Sequence, residues 1–222
     1  MSKTAEPPAP GRAIATAAAI GFNILPLIGV LIWGWSAFAL IFLYWIENLV
    51  IGAFNVARIL VTGAGHGGAG ILGSVFFAGF FTLHYGLFCL VHGAFVIALF
   101  GGGPGEGMFD LAGAAQRVFA ATPALIWGLV SIVALQIVGF ALFVVRGKYR
   151  TANIMTLMGE PYGRIIALHL AIIFGGFLIM ALDAPQWAVA VLVLVKTLID
   201  VHAARGAAPL FNLARAREQP LL

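Results

Sequence analysis

Seven ionisable side chains interrupt stretches of sequence that are otherwise apolar enough to span a membrane. They are Glu47, His84, His92, His169, Lys196, Asp200 and His202. A charge in hydrocarbon costs free energy, so an ionisable residue within a membrane span is a candidate functional residue by default. These seven residues mark where a functional site is expected, but they do not by themselves identify a substrate or a reaction.

The composition excludes a soluble domain. Of the 222 residues, 62% are hydrophobic and 9% are charged, whereas a soluble domain carries about 25% charged residues. The lipid bilayer is therefore the expected partner. Nucleic acid is not, because the basic residues behind the pI of 9.6 lie near the ends of apolar stretches and not on one soluble face. The single cysteine, Cys89, excludes an intrachain disulfide. Protein partners and homo-oligomerisation are left open.

The apolar pattern predicts an all-α bundle of six membrane helices, each about 17 residues or longer. The predicted spans run from Ala13 to Trp33, Trp35 to Leu60, Ile71 to Phe100, Ala121 to Val145, Pro161 to Leu182 and Gln186 to Ala203. The transmembrane domain is thus residues 13–203, between an N-terminal segment of residues 1–12 and a basic tail of residues 204–222. The first apolar run is too long for a signal-peptide core and is interpreted as a retained span.

The distribution of basic residues predicts the orientation. Lys and Arg collect before span one, after spans two, four and six, and at the start of span five, whereas the opposite loops are mainly acidic. The basic residues are Lys3, Arg12, Arg58, Arg146, Lys148, Arg150, Arg164, Arg205, Arg215 and Arg217. By the positive-inside rule, both termini are cytoplasmic in a multi-pass protein of the inner membrane. The basic loop of residues 146–160 is expected to contact anionic lipid headgroups.

Span two carries a polar stripe. Tyr44, Glu47, Asn55 and Arg58 follow one another at spacings of three, eight and three, which places them on one helix face. Such a face is expected to point into the bundle. A structural hydrogen-bond network between helices explains the same stripe without any activity.

Span three carries two histidines and a glycine repeat. Gly79, Gly86 and Gly93 recur every seven residues, which predicts a seam of close helix packing. His84 points away from this seam and is interpreted either as a metal ligand or proton carrier, or as a neutral histidine hydrogen-bonded across helices. For His92, which is predicted to lie nearer the outer membrane surface, the structural role is favoured.

Spans five and six supply the remaining polar residues. Tyr162 and His169, seven residues apart, share one face of span five. Lys196 and Asp200 share one face of span six at a spacing of four, which also suits a simple intrahelical ion pair. His202 is expected at the cytoplasmic edge of that span.

Four of these residues come from four spans at compatible depths and form a plausible metal site. His84, His169, Glu47 and Asp200 provide a workable ligand set for zinc or iron, with Asp200 alternatively acting as a base. Haem held by His84 and His169 is a less favoured reading. The first hypothesis is thus metal-dependent chemistry on a lipid-soluble substrate.

Two further hypotheses stay open beside the metal site. One is a proton- or ion-coupled carrier, in which Glu47 and the Lys196–Asp200 pair change protonation. The other is a structural or accessory membrane subunit, in which the polar residues only hold the helices together. The sequence does not decide whether the protein is an enzyme.

Four segments resemble a prokaryotic integral membrane family of unknown function. They are YWIEN (44–48), HYGLFCLVHGAF (84–95), PYGRIIALHL (161–170) and KTLID (196–200). The resemblance covers most of the chain from span two onward and implies a compact α-helical membrane domain, without catalytic roles to carry over. A looser similarity to intramembrane zinc hydrolases is an analogy only, because this chain lacks their paired H-x-x-x-H and has six predicted spans instead of seven.

Overall fold

The computed structural model describes residues 36–101 and 107–163, together with eight further positions. These are Ile32, Ile165, Ile166, His169, Leu170, Ile173, Leu194 and Thr197. Within these residues the chain is helical and contains no strand. The helices are α1 (Ala37–Ala64), α2 (Gly67–Phe100), α3 (Leu111–Ala121), α4 (Leu125–Val145) and α5 (Ile154–Gly159), with a 3₁₀ turn at Lys148–Arg150 between α4 and α5.

Three of the described helices, α1, α2 and α4, are long and apolar enough to cross a membrane. They correspond to predicted spans two, three and four, and they indicate a membrane protein. Most of spans one, five and six lies outside the described residues, as do Arg164, Lys196, Asp200 and His202.

The hairpin between α1 and α2 is tighter than predicted. The predicted spans leave ten residues between them, VTGAGHGGAG (61–70), but only Gly65 and His66 separate the two helices. Small side chains let the helices continue and approach each other closely, so a hypothetical Cβ on Gly63 would collide with the side chain of Ser74. Each helix consequently extends about one turn further into the hairpin than its predicted span.

Close packing between α1 and α2 depends on glycines facing aromatic rings. A Cβ on Gly93 would lie 2.7 Å from the indole of Trp45, and a Cβ on Gly52 would lie 2.7 Å from the ring of Tyr85. The same contact region is fixed by the Trp45 Nε1–H, which donates to the carbonyl of Cys89 at 2.7 Å. Cys89 is buried, as expected for a packing residue.

Within the described residues, the predicted glycine seam on span three is seen at one of its three positions. Gly93 packs against Trp45, whereas a Cβ on Gly79 or Gly86 would meet nothing within 4 Å among these residues. A repeat of seven residues places glycines on one face but does not ensure that a second helix lies along that whole face.

The segment between α4 and α5 is not an open loop. Gly147 adopts a left-handed conformation, with φ 65°, and turns the chain back after α4. The chain then forms the 3₁₀ turn and α5, whose Leu157 and Met158 are buried. Apolar residues within the predicted basic loop therefore dock it on the bundle, while Lys148 and Arg150 stay exposed.

Candidate functional site

Aromatic and imidazole rings form a row along one edge of α2. Phe80, His84, Phe88 and His92 are spaced four residues apart, which brings consecutive rings together on one side of a helix. Phe80 stacks on His84 with centroids 5.6 Å apart, His84 lies 5.2 Å from Phe88, and Phe88 stacks on His92 at 6.2 Å. We call these four residues the histidine row.

The C-terminal end of the histidine row is a hydrogen-bonded pair of imidazoles. His92 Nε2 and His169 Nδ1 are 2.9 Å apart, and the two rings meet edge to face. His92 is only 4% exposed, whereas His169 is exposed. The pair joins α2 to the helical residues that follow Tyr162, so one member is enclosed and the other remains accessible.

Tyr162 supplies the second polar contact with the row. Its hydroxyl lies 2.5 Å from Nδ1 of His84, and its ring also packs edge-on against Phe81 and Tyr85. His84 is exposed and Tyr162 is half-buried. An imidazole and a phenol at this distance share one proton, which either ring can donate.

The two contacts fix how α2 and the later helix lie against each other. Tyr162 contacts His84, and His169 contacts His92. The step from Tyr162 to His169 is seven residues, a rise of about 10.5 Å, and the step from His84 to His92 is eight residues, a rise of about 12 Å. Because the two rises are similar and both steps run toward the C-terminus, the two helical segments are parallel here. The prediction that His84 and His169 lie at one depth does not describe the pairing, because each contacts a different partner.

The hydrogen bonds define the protons of the neutral histidine pair. His92 Nδ1 lies 2.6 Å from the backbone carbonyl of Phe88, which only accepts, so this nitrogen carries a proton. In a neutral His92 ring Nε2 then accepts, and Nδ1 of His169 must donate to it. A neutral His169 is left with a lone pair on Nε2.

A docked segment positions Tyr162 against the row. Asn55 of α1 donates to the carbonyl of Leu157 at 2.8 Å, and Arg58 forms an ion pair of 2.7 Å with Glu160. The Arg58 guanidinium also lies 4.7 Å from the ring centroid of Phe143. Pro161 begins the following helix, because its carbonyl accepts from the backbone N–H of Ile165.

The polar stripe of α1 is divided between two environments. Tyr44 and Asn55 are buried, as is Asn48, whose side chain donates to the carbonyl of Tyr44. Glu47 and Arg58 are half-buried. Asn55 and Arg58 reach the segment that carries Tyr162, so these two residues of the stripe support the candidate site.

The described residues give no support to a three-ligand metal centre. Across residues 36–101, 107–163 and the other described positions, no group of three or more His, Cys, Asp and Glu side chains could hold a metal ion. Glu47, His84 and His169, three of the predicted ligands, are all among the described residues. Asp200, the fourth predicted ligand, lies outside it.

Comparison with known families assigns the chain to a protein family. The model of a family of unknown function (DUF6498) matches residues 5–218. The chain belongs to that family. No curated protein and no solved structure matches the chain.

For this DUF6498 protein, two further patterns in the sequence indicate the contacts of the site. Phe80 and Phe88 complete a period-four row with the two histidines of α2. The spacing of His84 and His92 also nearly equals the spacing of Tyr162 and His169. In parallel spans such matched spacings predict two cross-helix contacts, and these are the contacts the structure contains.

Proposed function

We propose that this protein is a proton-coupled membrane carrier whose proton site is the His92–His169 pair. The observation that supports it is the 2.9 Å contact between an enclosed and an accessible imidazole within an apolar helix pairing. Imidazole is the side chain whose charge normally changes between pH 5 and 8. In the proposed arrangement six spans cross the inner membrane and both termini are cytoplasmic.

The pair is suited to taking up one proton. A proton that arrives at the lone pair of His169 Nε2 makes that ring cationic. The proton on His169 Nδ1 can then move to His92 Nε2, since those atoms already share a hydrogen bond. Charge is thereby transferred to the enclosed ring, whose Nδ1–H still donates to the Phe88 carbonyl. One proton enters and one positive charge results.

A second proton is disfavoured by the same geometry. If both rings were cationic, neither His92 Nε2 nor His169 Nδ1 could accept, and two N–H groups would oppose each other at 2.9 Å. Like charges at such a distance repel strongly where water is scarce. The pair therefore exchanges a single proton and titrates as one unit.

Nitrogen NMR of the imidazoles tests this proposal. The chain has five histidines, so ¹⁵N-histidine labelling gives a small set of ring signals that single His→Gln variants can assign. We expect the His92 and His169 signals to move together as the pH is lowered, with the uptake of about one proton for the pair. Independent titration of both rings, each reaching the full cationic state, would reject the proposal.

A flux measurement tests the carrier role directly. Proteoliposomes with a pH-sensitive dye inside should show proton flux above that of protein-free vesicles, and His92→Gln should abolish it. His66→Gln is the matched control, because His66 lies in the α1–α2 turn and bonds to the carbonyl of Thr62. Equal flux in the wild type and His92→Gln would remove the pair from the mechanism. Glu47→Gln tests, in the same assay, the separate hypothesis that Glu47 carries a proton.

A metal site is the second candidate, because two imidazole nitrogens from two helices already converge. A tetrahedral zinc about 2.0–2.1 Å from each nitrogen would need them about 3.3 Å apart, close to the observed 2.9 Å. Asp200 or Glu47 would be a further ligand or base, with zinc or iron favoured over haem. Elemental mass spectrometry of the purified protein decides this: stoichiometric metal that is lost in His92→Ala supports the site, and a metal-free protein rejects it.

A further inference from the structure

His84 lies at the middle of α2 on its exposed side. It is 17 residues from Gly67 and 16 residues from Phe100, so each end of the helix is roughly 25 Å away. The side chains on either side are apolar and strongly exposed, with Leu83 at 75% and Leu87 at 57%. A molecule that reaches His84 from this side must therefore be soluble in hydrocarbon.

The imidazole of His84 has one nitrogen engaged and one available. Nδ1 faces the hydroxyl of Tyr162 at 2.5 Å, and Nε2 has no hydrogen bond within the described part of the chain. If Tyr162 donates to Nδ1, Nε2 carries the ring proton and donates outward. If Nδ1 donates to Tyr162, Nε2 accepts. The same exposed atom can therefore bind a carbonyl oxygen or a hydroxyl group.

Aromatic rings border this nitrogen along the helix. The ring of Phe80 is nearly parallel to the imidazole, at an interplanar angle of 9°, and Phe88 lies on the other side. Both phenylalanines are exposed, at 51% and 43%. Exposed aromatic faces favour a flat ring as the ligand, through offset stacking or edge-to-face contact.

We propose that His84, Tyr162, Phe80 and Phe88 form a lipid-facing binding site for the ring of a quinone or quinol. A quinone carbonyl accepts from Nε2–H, a quinol hydroxyl donates to Nε2, and the ring lies against the phenylalanines. The apolar tail stays in the hydrocarbon. Acyl chains lack the hydrogen-bonding oxygen, and phospholipid headgroups stay at the membrane surface, about half a bilayer away. The site does not depend on proton uptake by His92–His169.

A binding assay in nanodiscs tests the site. The probe is a radiolabelled decyl benzoquinone, and binding is counted above the uptake of protein-free nanodiscs. Decylbenzene, which has the tail and ring without the oxygens, is the matched competitor. We expect saturable binding that unlabelled quinone displaces and decylbenzene does not. His84→Phe, which keeps the ring shape and removes both nitrogens, should weaken binding about tenfold, equivalent to one well-made hydrogen bond.

The controls separate this site from folding and from the proton pair. His66→Ala, in the turn between α1 and α2, should bind like the wild type. If His84→Phe does not fold, displacement by quinone but not by decylbenzene in the wild type still tests the proposal. Uptake equal to that of protein-free nanodiscs overturns it. Unchanged binding in His84→Phe also overturns it. Self-association of the protein that His84→Phe abolishes would overturn it as well, because it would assign this face to a second copy of the chain.

Discussion

Two adjacent rows of side chains on α2 have opposite character. The packing row, Phe81, Tyr85, Cys89 and Gly93, is buried against α1. The histidine row lies one residue earlier at each step and is exposed except at His92. A shift of one residue turns the direction by about 100°, so a single helix presents a close-packed surface and a polar, accessible one side by side.

The two rows are held by different interactions. In the packing row, contact depends on fit, because Gly93 leaves space for the indole of Trp45 and the indole N–H bonds to the Cys89 carbonyl. In the histidine row, contact depends on protons shared between ring nitrogens and a hydroxyl. The first kind of contact fixes a geometry through shape, and the second is made by groups that can exchange protons.

The largest expected effect is a loss of fit in the packing row. Gly93→Ala should destabilise the protein by about 2–4 kcal/mol, because the new methyl group would displace Trp45 and break its hydrogen bond to Cys89. Unfolding in a denaturing detergent series measures the change. Gly79→Ala is the matched control: its Cβ meets nothing within 4 Å among the described residues, so it should be neutral or stabilising by up to about 1 kcal/mol. Equal effects of the two substitutions would contradict this view of the packing row.

The sequence predicted the long helices better than it predicted their register. Apolar length identified α1, α2 and α4, because the cost of exposing backbone in hydrocarbon leaves a helix as the main solution. A depth counted from the ends of each span does not describe span five. Tyr162, at the start of that span, lies beside the mid-helix residue His84, because residues 147–160 fold back onto α1.

Partner choice was harder to predict for the same reason. The sequence favours a structural role for His92, as a histidine hydrogen-bonded across helices, and its contact with His169 has that form, but the sequence does not predict which residue is the partner. A shift of two turns along α2 exchanges His84 for His92, and the apolar pattern of either helix does not fix such a shift. The docking contacts of Asn55 and Arg58 fix it, and these join residues about one hundred positions apart.

The second largest effect is expected where α1 holds the docked segment. Asn55 is 2% exposed and is the buried donor to the Leu157 carbonyl, so Asn55→Ala should cost about 1–3 kcal/mol and loosen α5. It should also weaken the Tyr162–His84 contact, which a shift of the Tyr162 ring signal in NMR would report. Ser131→Ala on exposed α4, where the hydroxyl bonds only within its own helix, is the control and should leave both readouts unchanged.

A smaller effect is expected within the histidine row itself. His92→Phe keeps an aromatic ring but leaves the His169 Nδ1–H without its acceptor, so a loss of about 1–2 kcal/mol is expected. His84→Phe should cost less, since His84 is exposed and retains its stacking as a phenylalanine. Unfolding of both variants in a denaturing detergent series shows which position contributes more to the free energy of unfolding. A larger loss for His84→Phe would mean that the accessible end of the row, and not the enclosed pair, stabilises the fold.

The smallest effect is expected from the ion pair of Arg58 and Glu160. Their side chains are 29% and 44% exposed, so solvent screens most of the attraction despite the 2.7 Å distance. A double-mutant cycle with Arg58→Gln and Glu160→Gln should give a coupling of about 0.3–1 kcal/mol that decreases with added salt. Arg58→Gln alone should cost more than Glu160→Gln, because it also removes the contact with Phe143. A coupling well above this range would place the pair in a less hydrated environment than its exposure indicates. The ion pair would then fix the position of Tyr162 beside His84 as strongly as the buried Asn55 does.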